Sequence, residues 1–256
     1  MDSLTAERKA LLFSSGGVRF ALRVAHLREV LAVDSPEREE RLRGERVQEI
    51  VVAAALGLSA GSSPFAILTA GATPTALRVE ALHGIVDLAE GEFLELPART
   101  VLPRPAPFSG AVIHRGEISL ELVTGSLGPA PAAPAEDRGG PPGDVPAPRE
   151  RELRFARGER TFGVPLSLLA QVVEEPRVAK VPLAPPSHVG LLYHGRSLHP
   201  VLDVAVLFGD LPAPARTVLL LDAGGSGVGV AADRVLGVGE PGGDLVRPPW
   251  DSVFGA

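Results

Sequence analysis

The chain has no cysteine, which excludes a disulfide framework and every thiolate metal site and leaves no sign of an oxidising, extracellular setting. It has one methionine, one tryptophan and one tyrosine, and aromatics make up 4% of it, so its cores must be mostly aliphatic. Lysine is nearly absent too, with Lys9 and Lys180 the two examples. At a net charge of -6 and with dispersed arginines, the chain lacks the concentrated basic surface that phosphate backbones require, and no nucleic-acid partner is expected. No apolar run approaches the roughly 20 residues that span a bilayer. The opening MDSLTAERKALLF has no cationic flank ahead of a long apolar core, so neither a leader nor membrane insertion is expected and the cytoplasm is the default location. Turn chemistry is abundant, with 29 glycines and 25 prolines in 256 residues beside a hydrophobic share of 45%. That combination suits a linked pair of turn-rich domains with aliphatic cores.

Residues 128–149, GPAPAAPAEDRGGPPGDVPAPR, hold almost no large apolar side chain and cannot bury enough surface to offset the entropy of ordering. They read as a semi-extended linker with a reach of at most about 60 Å at roughly 3 Å per residue. The expected organisation is a domain over 8–127, the linker over 128–149 and a domain over 150–256. The two domains repeat each other. At an offset of 142 (155 minus 13), Phe13, Gly16, Phe20, Leu22, Val24, Leu27 and Val30 fall on Phe155, Gly158, Phe162, Val164, Leu166, Leu169 and Val172. The apolar alternation through 20, 22 and 24 is that of a half-buried strand, and the glycine before it marks a hairpin turn. At an offset of 152 (209 minus 57), IVVAAALG (50–57) falls on LDVAVLFG (202–209), and at 153 (237 minus 84) the stretch 65–84 falls on 218–237.

The last match decides the meaning of RTVLLLDAGGSGVGVAADRVLGV (216–238), whose glycines from Gly224 to Gly229 resemble a phosphate-binding turn. In the first copy those glycines give way to Ala72, Thr73, Pro74, Thr75 and Ala76 while the flanking apolar residues persist. Gly237, Gly239 and Pro241 interrupt any helix that would follow. The expectation is strand, turn, strand, and a nucleotide- or small-molecule-dependent enzyme built on Gly224–Gly229 is the alternative.

With the repeat in view, ELRFARGERTFGVPLSLLAQVVEE (152–175), HVGLLYHGRSLHPVLDVAVLFGD (188–210) and TVLLLDAGGSGVGVAADRVLGV (217–238) resemble the CheW-like domain of bacterial chemotaxis signalling. The first half resembles it through LLFSSGGVRFALRVAHLREVL (11–31), VVAAALGL and EALHGIVDL. The resemblance implies a mainly β fold of two tandem CheW-like units, each built of two small five-stranded β-barrels with short helices. It also implies a non-catalytic adaptor without cofactor or metal, coupling chemoreceptors or other CheW-like proteins to a CheA-type histidine kinase through barrel surfaces. Partner-binding candidates carried over in this way are Leu191, Tyr193, His194, Arg196, Val201, Leu202 and Asp203, with Arg28 and Glu29 in the first copy. Tyr193-His194-Gly195 stands where the family usually has Asn-Leu-Arg-Gly.

Several of these residues have a plainer reading. Asp203 can cap the helix opening at Val204, and the pairs Leu191/Leu192 and Val201/Leu202 have the composition of a core as much as of an interface. His194 and His199, five apart, suit neither one helical nor one strand face as metal ligands and read as surface histidines. Ser226 reads as a turn serine, because G-S-G-V-G is not a nucleophile elbow. The second copy has no counterpart of PFSGAVIHRGEISLELV (107–123), the hairpin that, as the resemblance implies, normally closes the first barrel. Donation of that hairpin from the first copy is expected to fill the gap, with Trp250, Val253 and Phe254 as the rival plug.

Overall fold

The period-two apolar pattern of residues 11–22 folds, in a computed structural model, as the antiparallel strands β1 (Lys9–Ser15) and β2 (Val18–Arg23). Gly16 and Gly17 turn between them with φ of 59° and 74°, a region that glycine enters freely. The same pattern at 152–165 gives β11 (Glu152–Arg157) and β12 (Arg160–Pro165). Phe13 faces Phe20 and Phe155 faces Phe162, all four fully buried, with ring centroids 5.6 and 5.5 Å apart. The structure describes residues 8–33, 47–70, 75–88, 92–127, 150–222, 227–240, 242, 245–250 and 253. The expected linker, 128–149, lies outside them. Contacts divide the chain into two compact units, Met1–Leu96 with Leu102–Pro134, and Pro97–Val101 with Ala135–Ala256.

The protein is mainly β, with four sheets. In the first unit β3 (Leu27–Ala32), β4 (Gln48–Val51), β5 (Phe65–Thr69) and β6 (Thr75–Val79) make a sheet in the order β3-β5-β6-β4. The short helix α1 (Val52–Ala55) follows β4. The strands β7 (Ala81–Asp87), β8 (Glu92–Glu95), β9 (Phe108–His114) and β10 (Glu117–Leu122) join the opening hairpin in the order β7-β1-β2-β10-β9-β8. In the second unit β13 (Leu169–Glu174), β14 (Val178–Ala179), β15 (His188–His194), β16 (Ser197–Leu202), β17 (Thr217–Asp222) and β18 (Gly227–Ala232) form a sheet in the order β13-β17-β18-β16-β15-β14. There β19 (Arg234–Gly239) completes a three-stranded sheet, β12-β11-β19. Both units therefore share one layout with complementary omissions among the described residues. Among the described residues the first shows no counterpart of the β14–β15 pair, and the second none of β8 to β10.

The glycine-rich stretch is a hairpin: β17 and β18 pair antiparallel from Thr217↔Ala232 to Asp222↔Gly227, and a strand follows instead of a helix. Gly224, Gly225 and Ser226 lie outside the described residues. Gly229 is small because a Cβ there would stand 2.8 Å from Val218 Cγ1 and 3.0 Å from Val201 Cγ2. One detail of the repeat is corrected. Phe65 pairs with Val79 as Thr217 pairs with Ala232, so β5 aligns with β17 at 152 (217 minus 65), and the one-residue difference falls in the following turn.

The closing element of the second copy is also a correction. β10 runs parallel to β2 in its own unit, with Leu120 beside Phe20, so the hairpin 107–123 closes its own barrel. In the second unit the equivalent place beside Phe162 is taken by Val246, in a parallel bridge. The Val246 N–H donates to Thr161 O at 2.9 Å, and Gly163 N–H donates to Val246 O at 3.2 Å. Trp250 Nε1 donates to Gly163 O at 3.2 Å, and Trp250 and Val253 enter the core of Phe155, Phe162, Leu219 and Val230. Below them the Arg247 guanidinium meets the fully buried Glu152 carboxylate in a fork of 2.9 and 3.0 Å. One bridge and one indole suffice because Pro165 has no N–H to satisfy further along the β12 edge. Phe254 lies outside the described residues.

Candidate functional site

β11 carries Leu153, Phe155 and Arg157 on its inward face, so a guanidinium arrives where the period predicts a core residue. Arg157, 2% exposed, is held there by two carboxylates. Its Nη2 donates to Asp203 Oδ2 at 2.5 Å, its Nε to the same oxygen at 3.1 Å, and its Nη1 to Asp233 Oδ1 at 2.7 Å. Nη1 also donates to Pro214 O at 3.1 Å, and Nη2 bonds Ala213 O. Burial alone would lower the Arg157 pKa, but the hydrogen bonds and charges of Asp203 and Asp233 outweigh it and raise it. One cation thus ties together β11, the end of β16, the loop before β17 and the β18–β19 junction. At the equivalent positions the first copy has Ser15 and Val51 (157 minus 142, 203 minus 152).

Beside this node lies an open groove of about 720 Å³ lined by Ala156, Gly158, Ala213 and Pro214, with the exposed Arg216 and Arg234 at its edge. Asp233 lines it too, but its second oxygen already accepts the Gly158 N–H at 2.8 Å.

The predicted partner residues divide by burial. Leu191 and Val201 are fully buried, Asp203 is 1% exposed and Leu202 packs on the core, so the first three offer a partner no surface. Asp203 is the expected cap, with Oδ1 accepting the Ala205 N–H at 3.2 Å, and it is an internal ion-pair partner as well. Tyr193 and His194 are half-buried and Arg196 is exposed at the β15–β16 turn. Arg28 is exposed and Glu29 half-buried on β3 of the first unit.

His194 Nε2 lies 2.9 Å from Gln171 Oε1, and His199 Nε2 lies 3.3 Å from His194 O. Among the described residues no three metal-ligating side chains cluster, and no helix is long and apolar enough to cross a membrane. His188, missed by the sequence reading, is buried with neither ring nitrogen hydrogen-bonded to another described residue, and burial pushes its pKa down to about 4, opposed in part by its own backbone. Arg157, Arg216, Arg234 and the Arg247–Glu152 pair were missed too. For Arg157 the signal was present: a cation on the inward period of a strand.

The family model of the CheW-like domain matches residues 152–253, which run from β11 through every strand of the second unit to the closing segment. That stretch of the second half is therefore similar to a CheW-like domain. Among solved structures, that of the scaffolding protein TtCheW from Thermoanaerobacter tengcongensis is similar at 20% identity, covering 40% of this chain and 72% of that one, with a TM-score of 0.34. No curated protein matches the chain.

Proposed function

We propose that the protein is a non-catalytic adaptor of a chemosensory pathway, joining chemoreceptors or other CheW-like proteins to a CheA-type histidine kinase through its β-barrel surfaces. The observation that carries this reading is the CheW-like match over 152–253, which spans both sheets of the second unit. A protein with two such modules on one chain raises the local concentration of weak contacts. The proposed contact set is the part of the predicted one that reaches the surface: Tyr193, His194, Arg196 and the half-buried Leu202 in the second unit, and Arg28 and Glu29 in the first. The enzyme alternative is disfavoured, because the Gly227–Ala232 segment is a hairpin strand that presents no helix N-terminus to a phosphate.

Co-purification of the full chain with a CheA-type kinase of the same organism tests this, alongside thermal shift with a nucleotide panel. Kinase capture that Arg196→Glu weakens, with no nucleotide raising the melting point, is expected. Nucleotide stabilisation without capture of kinase or receptor would overturn the reading.

A further inference from the structure

Among the described residues, the space beside the Arg157 node differs from the equivalent place in the first copy. In the first copy Leu58 fills the equivalent space: a Cβ on Gly16 would stand 2.6 Å from Leu58 Cβ. On the matching Gly158 a Cβ would meet nothing nearer than Asp210 Oδ2 at 3.4 Å. The edge differs as well, since Arg216 and Arg234 replace Pro64 and Ala81 (216 minus 152, 234 minus 153). Both arginines are exposed, and among the described residues neither guanidinium has a hydrogen-bond or ion-pair partner. Asp233 is already committed to Arg157 and to the Gly158 N–H, and the node of one guanidinium and two carboxylates keeps a single negative charge, so the two arginines leave the groove net positive in a chain of net charge -6.

We infer that this groove binds an acidic peptide segment of a partner protein, laid over Ala156, Ala213 and Pro214 with its carboxylates on Arg216 and Arg234. A guanidinium takes a carboxylate in a two-pronged hydrogen bond that a lysine cannot reproduce. A volume of about 720 Å³ is far more than one anion needs and suits a few residues of extended chain. The small apolar lining leaves room for backbone and side-chain stems. The inference goes beyond the adaptor reading, because it names a charge chemistry and a place that the family match does not.

The test is fluorescence anisotropy of a labelled octaglutamate peptide against the full chain at low and physiological salt. Saturable binding that weakens with salt is expected. The pair Arg216→Glu and Arg234→Glu should weaken it roughly 10- to 100-fold, since two attractions become repulsions. The control pair Arg177→Glu and Lys180→Glu makes the same change in net charge outside the groove and should leave binding within about twofold. All four side chains are exposed, so unchanged melting curves accompany the comparison. Absence of binding at low salt, or equal loss in both pairs, would overturn the inference while leaving kinase capture intact.

Discussion

Replacing Arg157 by serine, the residue the first copy has at that position, isolates the central interaction of the second unit. In the folded protein Asp203 would then remain 1% exposed with the Ala205 N–H as its one partner among the described residues, and Ala213 O and Pro214 O would lose their donor. Removing one member of a buried pair costs about 3–5 kcal/mol, because the other charge stays desolvated and unpaired. We take about 3–4 kcal/mol for Arg157→Ser, since water entering from the groove relieves part of it. Asp203→Val, the first copy's residue, leaves the guanidinium with Asp233 and two carbonyls and should cost about 2 kcal/mol, including the lost cap. With both changes no charge is stranded, so the double variant should lose about 3 kcal/mol where the sum of the single losses is about 5–6. The chain's single tryptophan makes this measurable, because Trp250 sits in the core of this unit and urea unfolding followed by its fluorescence reports that unit alone. Additivity within about 0.5 kcal/mol, or a loss below about 1 kcal/mol for Arg157→Ser, would refute the reasoning.

Residues 150–256 expressed alone should unfold cooperatively as a soluble monomer, whereas the same piece ending at Asp244 should aggregate, since the outer edge of β12 would then be bare; sedimentation and urea curves decide both. Trp250→Ala should cost the second unit about 3–5 kcal/mol, with circular dichroism following the shift in midpoint. Gly229→Ala should cost about 1–3 kcal/mol by overpacking against Val218 and Val201, read in the same way. His188 contributes a pH dependence: its folded pKa is about 4 against roughly 6.5 unfolded, so its contribution is whole above the unfolded value and is lost as pH falls toward 4. Relative to a His188→Phe variant, the protein should lose about 2 kcal/mol between pH 7.5 and pH 5, and equal pH slopes for the two would remove His188 as the cause.

The hairpins were legible because alternation at 20, 22 and 24, after a glycine, marks a strand; the structure buries Phe20 and Leu22, buries Ala21 on the opposite face as well, and puts Val24 in the short turn after β2. The offset of β5 was misread for the opposite reason. Val218 to Leu221 are buried on both faces, and a strand with no polar face has no alternation to reveal a one-residue slip. The closing segment was hard to read because it pairs through one parallel bridge, too short to have a period. A lone tryptophan after two prolines, in a chain with almost no other indole or phenol, was its one trace. In the candidate site the Asp203 cap was local and hence visible. The Arg157 node joins residues 46 and 76 positions apart, a distance across which a single sequence carries no pairing signal. Leu191 and Val201 could not be sorted from surface contacts, since cores and interfaces share a composition.

The node also constrains the route by which two such copies come to differ. A change at position 157 alone strands Asp203 inside the protein, whereas a change at 203 alone leaves the arginine with Asp233 and the carbonyls of the neighbouring loop. Between the pair Arg157 and Asp203 and the pair Ser15 and Val51 there are two single-step paths of unequal height, and the lower one alters the carboxylate first and the cation second. Run in reverse, the cation has to come before its acid. The divergence of the copies is thus a history with a preferred order, written in the electrostatics of one buried side chain.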